Sequence, residues 1–64
     1  DVNVAEERKK LNMTQKSFAS ILGVSKRTVE SWETGKSTPS PTARNLIYLI
    51  SQDHSLVEKL QNHV

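Results

Sequence analysis

Lys26, Arg27, Thr28 and Ser31 fall within one short stretch, KRTVESWET, and every one of them can donate a hydrogen bond. Lys36, Ser37 and Thr38 follow a few residues later. Residues 26–38 therefore make a basic, hydroxyl-rich strip of the composition that binds phosphates. The strip says more than the net charge, which is only +2 over 64 residues. Seven of the nine Lys and Arg residues lie in the first 36 positions. Lys26 and Arg27 by themselves would suit an ordinary solvated face, so their meaning depends on what surrounds them.

Other chemistries find few residues to work with. The chain has no cysteine, which removes disulfides and thiolate zinc sites. His54 and His63 stand nine residues apart, in a loop and near the terminus, a spacing that matches no familiar zinc site. Glu6, Glu7, Glu30 and Asp53 are scattered and are read as solvated charges. No Gly-x-Ser-x-Gly elbow and no Gly-rich phosphate loop is present. The expectation is a protein that is not an enzyme and takes no cofactor or metal.

Five helical segments can position the basic strip. Val4, Arg8 and Leu11 share a face of the first, roughly Val4 to Leu11, with Asn3 as its cap and Glu6 and Glu7 at its positive end. Thr14 caps the second, whose stripe is Phe18, Ile21 and Leu22, and Gly23 follows where a left-handed residue is wanted. Ser25 caps the third, which runs to about Thr34 before Gly35. Ser40 and Pro41 open the fourth, which carries Ala43, Leu46, Ile47, Leu49 and Ile50 over a wide apolar arc. Ser55 is the expected cap of a short fifth helix bearing Leu56, Val57 and Leu60. No stretch alternates with period two for long enough to predict a strand.

The second and third segments make a specific constellation. Gly23 supplies the sharp turn, Ala19 is the small residue at the helix crossing, and Val24 plugs the turn from the core side. Val29 and Trp32 fasten the third helix inward, which leaves Lys26, Arg27, Thr28 and Ser31 on the other side. A helix fastened on one side and presenting donors on the other is what a DNA major groove accepts.

Length and composition agree with a small globular unit. Sixty-four residues support one core, here expected as a single domain over residues 1–64. A hydrophobic fraction of 34% and a charged fraction of 25% fit a soluble fold with a charged surface. No apolar run approaches the ~20 residues that cross a membrane, and DVNVAEERKK lacks the apolar stretch of a signal peptide. The expected location is the cytoplasm. The chain opens without Met, as either an excised domain or a trimmed chain would.

The stretch TQKSFASILGVSKRTVESWETGKSTPSP resembles the helix-turn-helix of the Cro/C1-type (XRE) repressors. The resemblance rests on Thr14-Gln15, Ala19, Gly23-Val24-Ser25, Val29, Trp32-Glu33, Gly35-Lys36, the proline-containing tail and the apolar NLIYLI helix, and covers about residues 4–51. Within that family, RTVESWETGKSTPSPTARNLI is most similar to antitoxin-linked regulators of the HigA and MqsA sort. The fold implied is all-α, a compact bundle of four to five short helices. The function implied is sequence-specific binding of double-stranded operator DNA by a bacterial or phage-encoded, nucleoid-associated transcriptional regulator, most often a repressor. The alternative is a protein-interaction module that binds a toxin or another regulator.

The resemblance also implies roles. Gln15, with Lys16 beside it, would touch the DNA backbone or an outer base, and Ser25, Lys26, Arg27, Thr28 and Ser31 would lie on the reading helix. Arg27 is the candidate for bidentate contact to a guanine, worth ~1–3 kcal/mol of discrimination. Lys36, Ser37 and Thr38 would hold a phosphate and fix register. Many family members read with Gln at the start of that helix; Lys26 and Arg27 stand there instead and favour guanine-containing sites or extra phosphate contacts. An ion pair of Arg8 with Glu33 is implied between the first helix and the end of the third. Paired half-sites imply a homodimer, with Tyr48, Leu56, Val57 and Leu60 as its expected contact.

Overall fold

Four polar residues, each accepting one backbone N–H, decide where four of the helices begin. In the computed structural model, which describes residues 3–63, Asn3 accepts from Glu6 at 3.0 Å, Thr14 from Ser17 at 3.0 Å, Ser25 from Thr28 at 3.1 Å and Ser40 from Ala43 at 3.2 Å. The helices so opened are α1 (Val4–Lys10), α2 (Gln15–Leu22), α3 (Lys26–Thr34) and α4 (Pro41–Gln52). A fifth, α5 (Ser55–His63), completes the order, and no strand occurs among the described residues. The expected all-α class is what forms.

The start of α5 departs from expectation. Ser55 does not cap it but is its first residue; the carboxylate of Asp53 accepts from both the Ser55 N–H, at 3.0 Å, and its Oγ, at 2.6 Å. Asp53 thus ends α4 and prepares α5. Those two bonds hold its carboxyl below the ordinary range. The first helix also ends at Lys10, with Leu11 just beyond.

Three helices close by the same device. At each end a residue with positive φ folds the chain back, and the next N–H returns to a carbonyl five residues earlier: Met13 to Arg8 at 3.2 Å, Val24 to Ala19 at 3.0 Å and Lys36 to Ser31 at 2.9 Å. The residues at positive φ are Asn12 (56°), Gly23 (74°) and Gly35 (81°). A Cβ placed on Gly23 would meet nothing within 4 Å, so a side chain there is opposed by backbone strain alone. Gly23→Ala is expected to destabilise by about 1–2 kcal/mol. Gly23→Asn should cost less, because Asn tolerates this conformation, as Asn12 does here. Urea midpoints would test the order; equal losses for the two variants would refute the strain argument.

The core gathers Val4, Met13, Phe18, Ala19, Ile21, Val29, Ile47 and Ile50. Leu11, Leu22, Val24, Trp32, Leu46, Leu56, Val57 and Leu60 pack half-buried around it. The principal crossing joins α2 and α3, with buried Ala19 on α2 and Val29 on α3. Helix α1 braces α3 and α4, while α5 lies on α2 and α4. The radius of gyration, 10.5 Å, matches the roughly 10.7 Å expected of a folded chain of this length. Helix α4 does not bury its whole apolar arc: Ile47 and Ile50 are inside, but Tyr48 is 60% exposed and Leu49 52%.

Candidate nucleic-acid interface

Helix α3 is fixed before it presents anything. The Ser25 cap and the Gly35 turn set its two ends. Val29 is fully buried and Trp32 half-buried, which sets its rotation. The face turned away from that anchor carries Arg27, Glu30, Ser31 and Thr34, which line one open concavity with Gln15 of α2 and Lys36 beyond the turn.

The site residues named from the sequence divide into two groups. Gln15, Arg27, Ser31 and Lys36 are brought together at the concavity. Lys26 is exposed beside it, and its Nζ lies 3.8 Å from Glu30 Oε2. The hydroxyls of Ser25 and Thr28 lie 2.9 Å apart, and Ser25 also accepts the Thr28 N–H, so both serve the helix start. Ser37 and Thr38 are exposed in the segment after Lys36. Lys16 lines a different groove, formed with Ser17, Ser20, Ile21 and Gln61.

Two members of the concavity, Glu30 and Thr34, are not among the sequence-expected site residues. Composition alone marks Glu30 as a solvated charge and Thr34 as the end of a helix, yet both line the concavity. Both follow Arg27 at the i+3 and i+7 spacing that defines a single helix face, with Ser31 at i+4. That periodicity, applied to the polar side of α3 rather than to its apolar side, finds them. The Thr34 hydroxyl donates to the Glu30 carbonyl at 3.0 Å and the Ser31 carbonyl at 3.3 Å.

Beneath the interface Glu33 joins three helices. Arg8 of α1 donates to it twice, Nε to Oε2 at 2.7 Å and Nη2 to Oε1 at 3.0 Å, a bidentate arrangement. Arg8 Nη1 also donates to the Met13 carbonyl at 3.0 Å. Gln15 of α2 then donates through Nε2 to Glu33 Oε1 at 3.1 Å. The Arg8 and Glu33 side chains keep only 15% and 10% of their exposure. The hydrogen bonds from Arg8 outweigh burial and hold the Glu33 carboxyl below its ordinary range, with Gln15 helping; Arg8 is raised in turn. The Gln15 amide is thereby oriented at the edge of the concavity.

A donor-rich, partly cationic face on a fixed helix, reached across a short glycine turn, can donate hydrogen bonds to phosphates or base edges. The helix-turn-helix family matches residues 4–43, from the start of α1 to the first turn of α4. The chain belongs to the helix-turn-helix family. The XRE-type resemblance agrees with this match. Helix-turn-helix domains of this type occur in DNA-binding regulators.

Three relatives match this helix-turn-helix domain. "Antitoxin HigA-2" of Vibrio cholerae is 40% identical over 45 residues, which is 70% of this chain and 43% of the antitoxin. "Type II methyltransferase M.SsoII" of Shigella sonnei is 48% identical over 40 residues, 58% of this chain and 11% of that protein. "Type II methyltransferase M1.ScrFI" of Lactococcus lactis subsp. cremoris is 45% identical over 42 residues, 61% of this chain and 11% of that protein. The chain thus spans less than half the length of each, and the methyltransferase matches are confined to the helix-turn-helix region. No solved structure matches the chain. Among the described residues no helix is long and apolar enough to cross a membrane, and no three His, Asp or Glu side chains gather as metal ligands.

Proposed function

We propose that the chain acts as one domain, a transcriptional repressor of the Cro/C1 type that reads operator DNA by laying α3 in the major groove. The observation that carries this reading is the concave strip of Gln15, Arg27, Ser31, Thr34 and Lys36 on the outer side of a helix whose other side is buried. Arg27 reads a base edge, preferring guanine through its planar fork. Lys26, Lys36 and the hydroxyls of Ser37 and Thr38 hold phosphates and set register. Gln15, held by Glu33, meets the backbone at the groove edge. The domain works in the bacterial cytoplasm without catalysis of its own, and pairs as a homodimer on half-sites about one helical turn apart.

The test is direct binding to duplex DNA across a salt series. Affinity should fall steeply with salt as counterions are released. Arg27→Ala should relax sequence preference at one position by about 1–3 kcal/mol, whereas Lys36→Ala should weaken binding evenly on all sequences and lower the salt slope by about one. Both residues are exposed, so folding should be unaffected. If both variants bound random and selected DNA as the parent does, the reading face would be misassigned.

A second reading, a toxin-binding antitoxin domain, is favoured by the exposed pair Tyr48 and Leu49 and by the likeness to HigA-2. The dimer contact expected from the sequence bears on it. Leu56, Val57 and Leu60 pack against the domain's own core, so of that set Tyr48 alone stays well exposed, joined by Leu49.

A further inference from the structure

Helix α3 carries two acidic side chains in different surroundings. Glu33 is turned inward and neutralised by Arg8. Glu30 keeps 47% of its side-chain exposure and lines the concavity with Arg27, Ser31, Thr34 and Lys36. Its partner Lys26 sits at 3.8 Å and is itself 58% exposed, a loose pair that solvent screens and that DNA can separate readily. A carboxylate on a surface that approaches phosphates opposes binding unless it meets a donor. Base edges offer such donors, and the N4 amine of cytosine is the one that carboxylates take in the major groove.

The spacing on the helix fits this. Glu30 follows Arg27 by three residues, about 4.5 Å along the helix axis. The step between neighbouring base pairs is about 3.4 Å.

We propose that Glu30 is a specificity-determining residue whose carboxylate accepts from the N4 amine of a cytosine one base step from the guanine that Arg27 reads. The inference rests on the reading of α3 as the groove-facing helix. Glu30 acts mainly by exclusion: guanine and thymine would set their acceptor oxygens against its charge, and adenine sets N7 beside its amine. Lys26, released from Glu30, turns to a phosphate.

The experiment selects binding sites from random duplex DNA with the parent chain. Affinities for every single-base variant of the selected half-site are then compared among the parent, Glu30→Gln and Arg27→Ala at one salt concentration, with circular dichroism confirming that both variants fold. The parent should favour cytosine beside the guanine by about tenfold. Glu30→Gln should lose that preference, keep the guanine preference, and bind random DNA more tightly. The proposal is overturned if the parent selects no cytosine there. It is equally overturned if Glu30→Gln tightens binding to all sequences alike and leaves the pattern of preferences intact. Arg27→Ala separates the two levels of failure. If it relaxes the guanine preference while Glu30→Gln changes no preference, the role of Glu30 alone is lost; if neither variant changes any preference, the groove-facing assignment of α3 is lost with it.

Discussion

Glu33→Ala is expected to destabilise the domain by about 3 kcal/mol, the low end of what breaking a buried pair costs, because it leaves the half-buried Arg8 guanidinium without its carboxylate. Gln15 loses its acceptor in the same step. A domain of this length holds roughly 3–10 kcal/mol in total, so the variant should lose a large share of its stability. Thermal and urea melts followed by circular dichroism would show it. The charge has its own signature in pH. The folded-state carboxyl of Glu33 titrates below its ordinary range. Its contribution is therefore complete above the unfolded value of about 4.3, and fades as pH falls through the lower folded value. The stability gap between parent and Glu33→Ala should narrow on acidification below about pH 4.3. A gap that stayed constant from neutral pH to pH 3 would mean that the carboxylate's charge is not what matters.

Phe18→Ala should be comparably severe. Phe18 is fully buried in α2, among the largest side chains of the core. Truncating a buried Phe typically costs about 3–5 kcal/mol, the sum of lost transfer energy and the cavity left behind. The neighbouring Ala19 sits at the crossing with α3, so the cavity opens beside the helix that carries Arg27. Leu49→Ala is the control, since Leu49 keeps 52% of its exposure and a surface change is usually within about 0.5 kcal/mol. Urea midpoints of the two variants should differ by several-fold in effect; similar losses would show that the burial pattern of α2 and α4 is wrong.

Local rules carried most of the helix boundaries. The caps at Asn3, Thr14, Ser25 and Ser40 each act over three residues, and the stops at Gly23 and Gly35 act within six, so a window of sequence contains the whole cause. Where two cap-competent residues stood together the window was ambiguous, and Asp53 took the role given to Ser55. Asn12 and Met13 lie between periodic segments, so periodicity had no purchase on the first residue's left-handed turn or the second's burial.

Long-range features were less accessible. Arg8 was visible only as an anomaly, a charge on an apolar stripe, and Glu33 stands 25 residues away. The resemblance suggested the pair, but nothing local points to Gln15 as a third member. Leu56, Val57 and Leu60 form a stripe that suits either a partner or the protein itself, and the return of α5 onto α2 decides which. Glu30 was hidden for another reason: apolar spacing orients a helix, whereas the value of a polar residue depends on which neighbours share its concavity.

The position of Glu33 bears on how such a domain can diverge. On the proposed reading Arg27 faces the bases, and because it is exposed it can be exchanged at little cost to folding, so mutation can explore new DNA targets there without disturbing the framework. Gln15 is tied to the carboxylate that also clamps the first helix to the third, and a change there disturbs the framework and, on the same reading, the seating on the DNA backbone together. Descendants of this chain should therefore vary readily in which sequence they bind and stay conservative in the angle at which they meet it.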